Sequence, residues 1–466
     1  MITGFDTGDF QRRIARRSFL KSSGLGLGAL ALQKLMGGAL PHYHGRIRRV
    51  IHLCMAGGPS QFESLDWKPE LKKLHGKPFP ESFTKGQQLA QLQNMVLTAR
   101  GPFTEFKKHG QSGQEISSLF PHIAGIADDL CIIRSMVTEQ INHDPAQAFM
   151  NSGSILKGRP SMGSWLLYGL GAESENLPGF LVLMSQAKGY NGAQPVSARQ
   201  WSAGFLPSKY QGILLQSRGD AVHYVGNPEG VCQSTQRLVV DEVNRLNGIA
   251  AAEHEDAEAR TRIAQYEMAF RMQSSVPGLA DYSGESPQML EAYGVKEPGD
   301  GSFASNCLLA RRLAERGVRF IQLYHRAWDH HANIETSMPK AALDTDKACA
   351  ALVKDLKQRG MLEDTLVIWG GEFGRTPMGQ GTGRDHHINS FSLWLAGGGI
   401  KPGITYGATD ELGYRSVVDV VTMHDLHATL LHLCGIDHSK FSVKFQGLDA
   451  KLTGVDPCKV VKSILL

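Results

Sequence analysis

Residues 318–331 read VRFIQLYHRAWDHH, and residues 365–377 read TLVIWGGEFGRTP. Each opens with a strand-length run, Val318 to Tyr324 and Thr365 to Trp369, and passes directly into polar residues able to hold a metal. Helical patterns flank these runs, at Ser305 to Arg316, Lys340 to Arg359 and Met423 to Cys434, and a further strand is expected at Phe391 to Ala396. Upstream, strands are expected at Arg49 to Met55, Leu130 to Met136 and Pro178 to Met184. A helix over Asn142 to Asn151 is opened by His143-Asp144-Pro145, with Asp144 as the cap and Pro145 at the first helical position. Glu242 to Met272 reads as a long charged helix, inside a loop-rich insertion around 185–300. Strands alternating with helices at these lengths predict βαβ units, hence an α/β fold with a doubly wound, mainly parallel sheet.

Such sheets bind ligands beyond the carboxyl ends of their strands. There the sequence places His325, Asp329 and His331, then Glu372 and Arg375, and just before the next strand Asp385, His386 and His387. Asp329, His331, Glu372, Asp385 and His386 are the expected ligands of one shared metal, with His325 as a ligand or the partner of one. Mixed imidazole and carboxylate donors suit zinc, manganese or iron better than calcium. His330 and His387 read equally as satisfied structural histidines. Arg375 would either clamp an anionic substrate or pair with Asp329 or Asp385. His143 and Asp144 open a helix, which is an anion site or simple capping by Asp144, and His143, Asp144 and His387 are possible additional metal ligands. Ser60, in Gly57-Gly58-Pro59-Ser60 after the first strand, is a candidate nucleophile, though a turn serine is the commoner reading. Asp66 is a turn carboxylate or a further ligand.

Charge is unevenly spread. Of 49 Lys and Arg, nine lie in residues 1–50 against two acidic residues, so the rest of the chain is slightly acidic and does not read as a nucleic-acid binder. Arg16-Arg17-Ser18-Phe19-Leu20-Lys21, followed by the weakly apolar Gly24 to Leu32, reads as a twin-arginine export signal within residues 1–40. No apolar run reaches the ~18 residues of a membrane span. The seven cysteines show no Cys-x-x-Cys spacing, which excludes zinc-ribbon and c-type haem sites.

Taken together, Ala56 to Ser60, Asn142-His143, Trp328 to His331, Gly371 to Pro377, Asp385 to His387 and Asp425 to Leu431 resemble DUF1501, a family of exported bacterial proteins. The resemblance runs from about residue 45 to 460 and implies a single alkaline-phosphatase or sulfatase-like α/β domain. It also implies a metal-dependent hydrolase of sulfate or phosphate esters, on an anionic substrate such as a sulfated polymer, delivered by the twin-arginine translocase to the periplasm or beyond. Two departures stand out: Gly57-Gly58 occupies the turn where that superfamily has its first metal-ligating Asp, and Pro145 stands where its nucleophile would be. A non-catalytic module of the same fold, binding an anionic ligand or a partner protein, is the alternative.

The leader reading has a direct test. Replacing Arg16 and Arg17 with Lys should leave folded precursor in the cytoplasm; an unchanged periplasmic yield on cell fractionation would remove the export signal.

Overall fold

A computed structural model describes residues 41–87, 89–185, 193–216, 230–254, 263, 265–272 and 277–466. The leader and parts of the 185–300 insertion, including 255–262 and 264 within Glu242 to Met272, lie outside these residues. Among the described residues no helix is long and apolar enough to cross a membrane.

The central sheet has nine strands. They are β1 (Arg49–Met55), β2 (Leu130–Val137), β3 (Phe180–Met184), β4 (Ile213–Leu215), β5 (Phe320–His325), β6 (Thr365–Gly370), β9 (Phe391–Gly397), β10 (Ile404–Tyr406) and β11 (Val421–Thr422). The order is β10-β2-β9-β6-β1-β5-β3-β4, with β11 also on β2. All run one way except β9, which is antiparallel to both neighbours. The sheet is therefore mixed, a correction with a simple cause. Residues 374–387, expected as loop, form a hairpin of β7 (Gly374–Gln380) and β8 (Gly383–His387). That hairpin returns the chain to the edge it left, so the next strand must run backwards.

β1 shows how the sheet is covered on both faces. Ile51, Leu53 and Met55 enter one core with α3 (Phe303–Glu315) and α4 (Ile334–Gln358). Val50 and Cys54 enter the other with α2 (Met162–Leu170) and α5 (Met423–Leu433). A strand buried on both faces has no polar side to alternate with, which is why β1, β5 and β6 read as strand runs of limited polarity. α4 begins at Ile334, ahead of the predicted Lys340, and carries Pro339 inside it.

Register aligns the strand ends. Met55 lies beside His325 and Cys54 beside Gly370, so the turns after β1, β5 and β6 leave the sheet at one edge. β2 leads at the same edge into α1 (His143–Ser152). Asn142, not Asp144, occupies the N-cap of α1, and His143 is its first residue. The turns are packed backbone to backbone. Gly57 has φ +117°, and a Cβ there would sit inside contact distance of the Asp329 amide nitrogen. A Cβ on Gly383 would likewise collide with the carbonyl of His330.

Gly57→Ala should therefore lower unfolding stability by more than ~2 kcal/mol, beyond what left-handed backbone strain alone accounts for. Gly113→Ala, at φ +68° with nothing near its Cβ, is the control that carries the strain alone. Denaturant midpoints of the two variants compare them.

Candidate metal centre

Four side chains converge above the sheet edge: His143 from the start of α1, Asp329 and His331 from the turn after β5, and His386 from β8. One donor atom of each lies within 4.8 Å of the others. His331 Nε2 is 2.8 Å from His386 Nε2 and 3.0 Å from Asp329 Oδ1. His143 Nε2 is 3.2 Å from Asp329 Oδ2, and His386 Nε2 is 3.5 Å from Asp329 Oδ1.

The far side of each imidazole explains why these nitrogens converge. His386 Nδ1 lies 2.7 Å from the Ile141 carbonyl oxygen, which can only accept, so Nδ1 carries the proton. His143 Nδ1 lies 2.6 Å from Glu372 Oε1. His331 Nδ1 donates to Gln380 Oε1, and the Gln380 amide is oriented by its own donation to Gln91 Oε1 at 2.5 Å. Each ring thus spends its Nδ1 proton outward and turns Nε2 inward. Lone pairs so arranged repel unless a proton or a cation lies among them. Imidazoles anchored through Nδ1 on oxygen acceptors are the usual arrangement of metal ligands. Donors bound at ~2.1 Å around a tetrahedral ion lie ~3.4 Å apart, close to the separations found. Three imidazoles and one carboxylate therefore fit a divalent transition metal.

Charge supports the same site. Burial pushes the Asp329 carboxyl upward, but the imidazoles of His143, His331 and His386 beside it and the charge of Arg375 outweigh it and hold it well below the usual carboxylate range. Burial acts to lower His143, yet Asp329 and Glu372 on its two sides raise it to about 9. Burial lowers His386. The side chains of Asp329 and His331 remain 27% and 26% exposed, so solvent reaches the cluster from their side. The Phe373 ring closes another side, 4.9 Å from His143 and 4.5 Å from His386.

The remaining candidates stand elsewhere. Glu372 is 2% exposed, and its carboxylate accepts from Gly57 N at 3.0 Å besides His143. It orients a ligand and lies outside the cluster of four. Asp385 accepts the backbone N–H groups of Gln91, Leu92 and His386 at 2.6, 3.0 and 2.8 Å, so its oxygens are occupied by the chain itself. Of the two readings of Arg375, pairing holds. The guanidinium is fully buried and donates to Asp329 Oδ1 at 2.7 Å, Gly58 O at 2.9 Å, Arg384 O at 3.1 Å, Trp328 O at 3.3 Å and Gly57 O, leaving no face for a substrate.

Ser60 is also sealed, its hydroxyl donating to Glu63, which Arg384 grips through both carboxylate oxygens. Asp144 is exposed and pairs with Arg199 at 3.0 Å, away from the cluster. His387 is bound through Nε2 to Tyr414 O at 2.6 Å, and burial lowers it to about 4. His325 is buried, edge-on to Phe303 and Trp328, with Nε2 3.5 Å from Asp344. Asp66 accepts from Thr409 at 2.6 Å and pairs with Lys68. Gln91, Gln380 and the Ile141 carbonyl carry no sequence signal and emerge only from the fold.

The family described as protein of unknown function (DUF1501) matches residues 47–465, and the chain belongs to it. Among solved structures, the chain is similar to the PsFucS1 sulfatase from Pseudoalteromonas sp., at 12% identity over 89% of this chain and 72% of that one, with a TM-score of 0.32. It is similar to the lipoteichoic acid synthase LtaP from Listeria monocytogenes, at 11% identity, 89% and 76% coverage and a TM-score of 0.39. It is also similar to an alkaline phosphatase superfamily protein from Vibrio parahaemolyticus, at 10% identity, 85% and 68% coverage and a TM-score of 0.35. Among curated proteins none matches the chain.

The raised pKa of His143 gives the site a proton signature. At pH 7.5, below about 9, this ring is protonated, and a metal must displace that proton. Zinc binding at pH 7.5 should release about one proton from His143, and apparent affinity should rise with pH up to about 9. Calorimetric titrations in buffers of different ionisation enthalpy measure both; a buffer-independent heat would contradict the assignment.

Proposed function

We propose that this chain is an exported, single-metal hydrolase of sulfate or phosphate esters. The observation that carries the reading is the inward convergence of three Nδ1-anchored imidazoles on Asp329. His143, Asp329, His331 and His386 would hold the metal, which when bound lowers the pKa of water to ~7 and polarises an ester oxygen. Arg375 holds Asp329 in place, and Glu372 and Gln380 hold His143 and His331 in the ligating tautomer. Substrate and water would enter beside Asp329 and His331, the partly exposed members of the cluster. The ester class follows from the motif resemblance, and export from the paired arginines of the leader.

One observation favours a second reading. Among the described residues, the candidate nucleophile Ser60 and the candidate anion clamp Arg375 are both sealed in the core. A metal-loaded module that binds an anion without turning it over would need neither. In the hydrolytic reading the same observation makes direct attack by water the route.

Elemental analysis of protein purified from the periplasm should find one transition metal per chain, and His386→Ala or Asp329→Ala should remove it. The loaded protein should hydrolyse an aryl sulfate or aryl phosphate, and both variants should lose at least a hundredfold in kcat/KM. Metal without turnover on any such ester selects the binding module. A wild-type protein that neither carries nor takes up zinc, manganese or iron overturns the metal reading.

A further inference from the structure

Helix α1 delivers His143 from its first turn, where Glu372 and the Asp144–Arg199 pair hold it sideways. Its N-cap residue Asn142 makes no side-chain capping bond. The other end is anchored. The left-handed Gly153 closes the helix, its N–H bonding to Phe149 O at 2.9 Å. Two imidazoles then take neighbouring carbonyls: His427 Nε2 lies 2.7 Å from Met150 O, and His424 Nε2 lies 2.9 Å from Gly153 O. A carbonyl only accepts, so both Nε2 atoms carry protons. Donors at these positions satisfy the unpaired carbonyls and the negative end of the helix dipole.

Both imidazoles stand three residues apart on α5, so they share one face of that helix. α5 is itself fixed by a capping box between Thr422 and Asp425 and by β11, whose Val421 and Thr422 pair with Met136 and Val137 of β2. β2 is the strand that leads into α1. The frame is closed: strand, α1, two imidazole–carbonyl bonds, α5, and back to the strand. His427 is 1% exposed, and burial keeps it neutral at about 4, so its single N–H stays on Met150. Asn151 adds a lateral tie, accepting from Gln322 on β5 at 2.5 Å.

We propose that His424 and His427 are positioning residues for the metal centre, setting the placement of α1 along its axis and through it the reach of His143 to Asp329 and His386. Seven residues separate His143 from Met150, about 10 Å along a helix. A slip of α1 at its far end is passed undiminished to the ligand, because the helix between them is rigid. The inference rests on the metal reading above.

Cobalt(II) uptake by the full chain, followed by visible absorption, tests it. His427→Leu should weaken cobalt binding at least tenfold and move the absorption band toward that of His143→Ala. His427→Gln, whose amide nitrogen can reach the same carbonyl, should restore both. The double variant His143→Ala/His427→Leu should bind no more weakly than His143→Ala alone, since His427 acts only through His143. A His427→Leu protein that melts earlier but binds cobalt with wild-type affinity and spectrum overturns the positioning role and leaves the metal reading standing. If His427→Leu fails to fold, His427→Gln and His424→Gln carry the test: loss of affinity in both while the fold persists also overturns the carbonyl bonds as the cause. A wild-type protein that takes up no cobalt overturns the metal reading and this inference with it.

Discussion

The guanidinium of Arg375 is the joint on which the sheet edge depends. It gathers the carbonyls of Gly57 and Gly58 after β1, that of Trp328 after β5, that of Arg384 in the hairpin, and the carboxylate of Asp329. Only a planar fork with five donors can serve that many acceptors at once. A buried cation is stable here because carbonyl dipoles and one carboxylate replace its water. Removing one member of such a pair costs about 3–5 kcal/mol. The same bonds place Asp329, around which the imidazoles collect, so the joint of the turns and the anchor of the site are one group.

Close approach of the turns follows from this joint. Acceptors that converge on one guanidinium bring their backbones together, and side chains must then be absent where chains cross. Gly57 against Asp329 and Gly383 against His330 are such crossings. A second sealed pair, Arg384 with Glu63, stiffens the hairpin from behind, and Ser60 belongs to that pair through Glu63. The register break between Arg384 and His386 falls where the hairpin must turn His386 toward the cluster. Bulges of this kind commonly re-aim a side chain at a functional site.

The chemistry of the site is decided by outward bonds more than by inward ones. A histidine beside a carboxylate is ambiguous, since either nitrogen could face it. Once Ile141 O, Glu372 and Gln380 claim the three Nδ1 protons, it is the Nε2 atoms that face Asp329. Four acceptors facing one another require a positive occupant, proton or metal. The exposed flank at Asp329 and His331 is what makes that occupant available to a ligand from solvent.

Much of the fold was legible in the sequence, because strands buried on both faces and amphipathic helices each leave a periodic trace. The strands at Arg49–Met55, Leu130–Val137 and Thr365–Gly370 stand within a residue of where that trace puts them. Legible too, as chemically apt residues, were Asp329 and His331 beyond a strand end and His386 ahead of the next strand. The antiparallel course of β9 was not legible, since the hairpin before it has too few apolar residues to announce itself. Nor was the division of labour among the acids and histidines. Asp385 and Glu372 look like ligands in sequence, yet backbone N–H groups occupy the oxygens of the first, and Gly57 and His143 claim the second. His143 comes from 186 residues before Asp329, and only packing brings it to the cluster. Local periodicity encodes which segments form strands and helices. Which oxygen meets which proton depends on contacts between distant segments, and only the tertiary structure decides those.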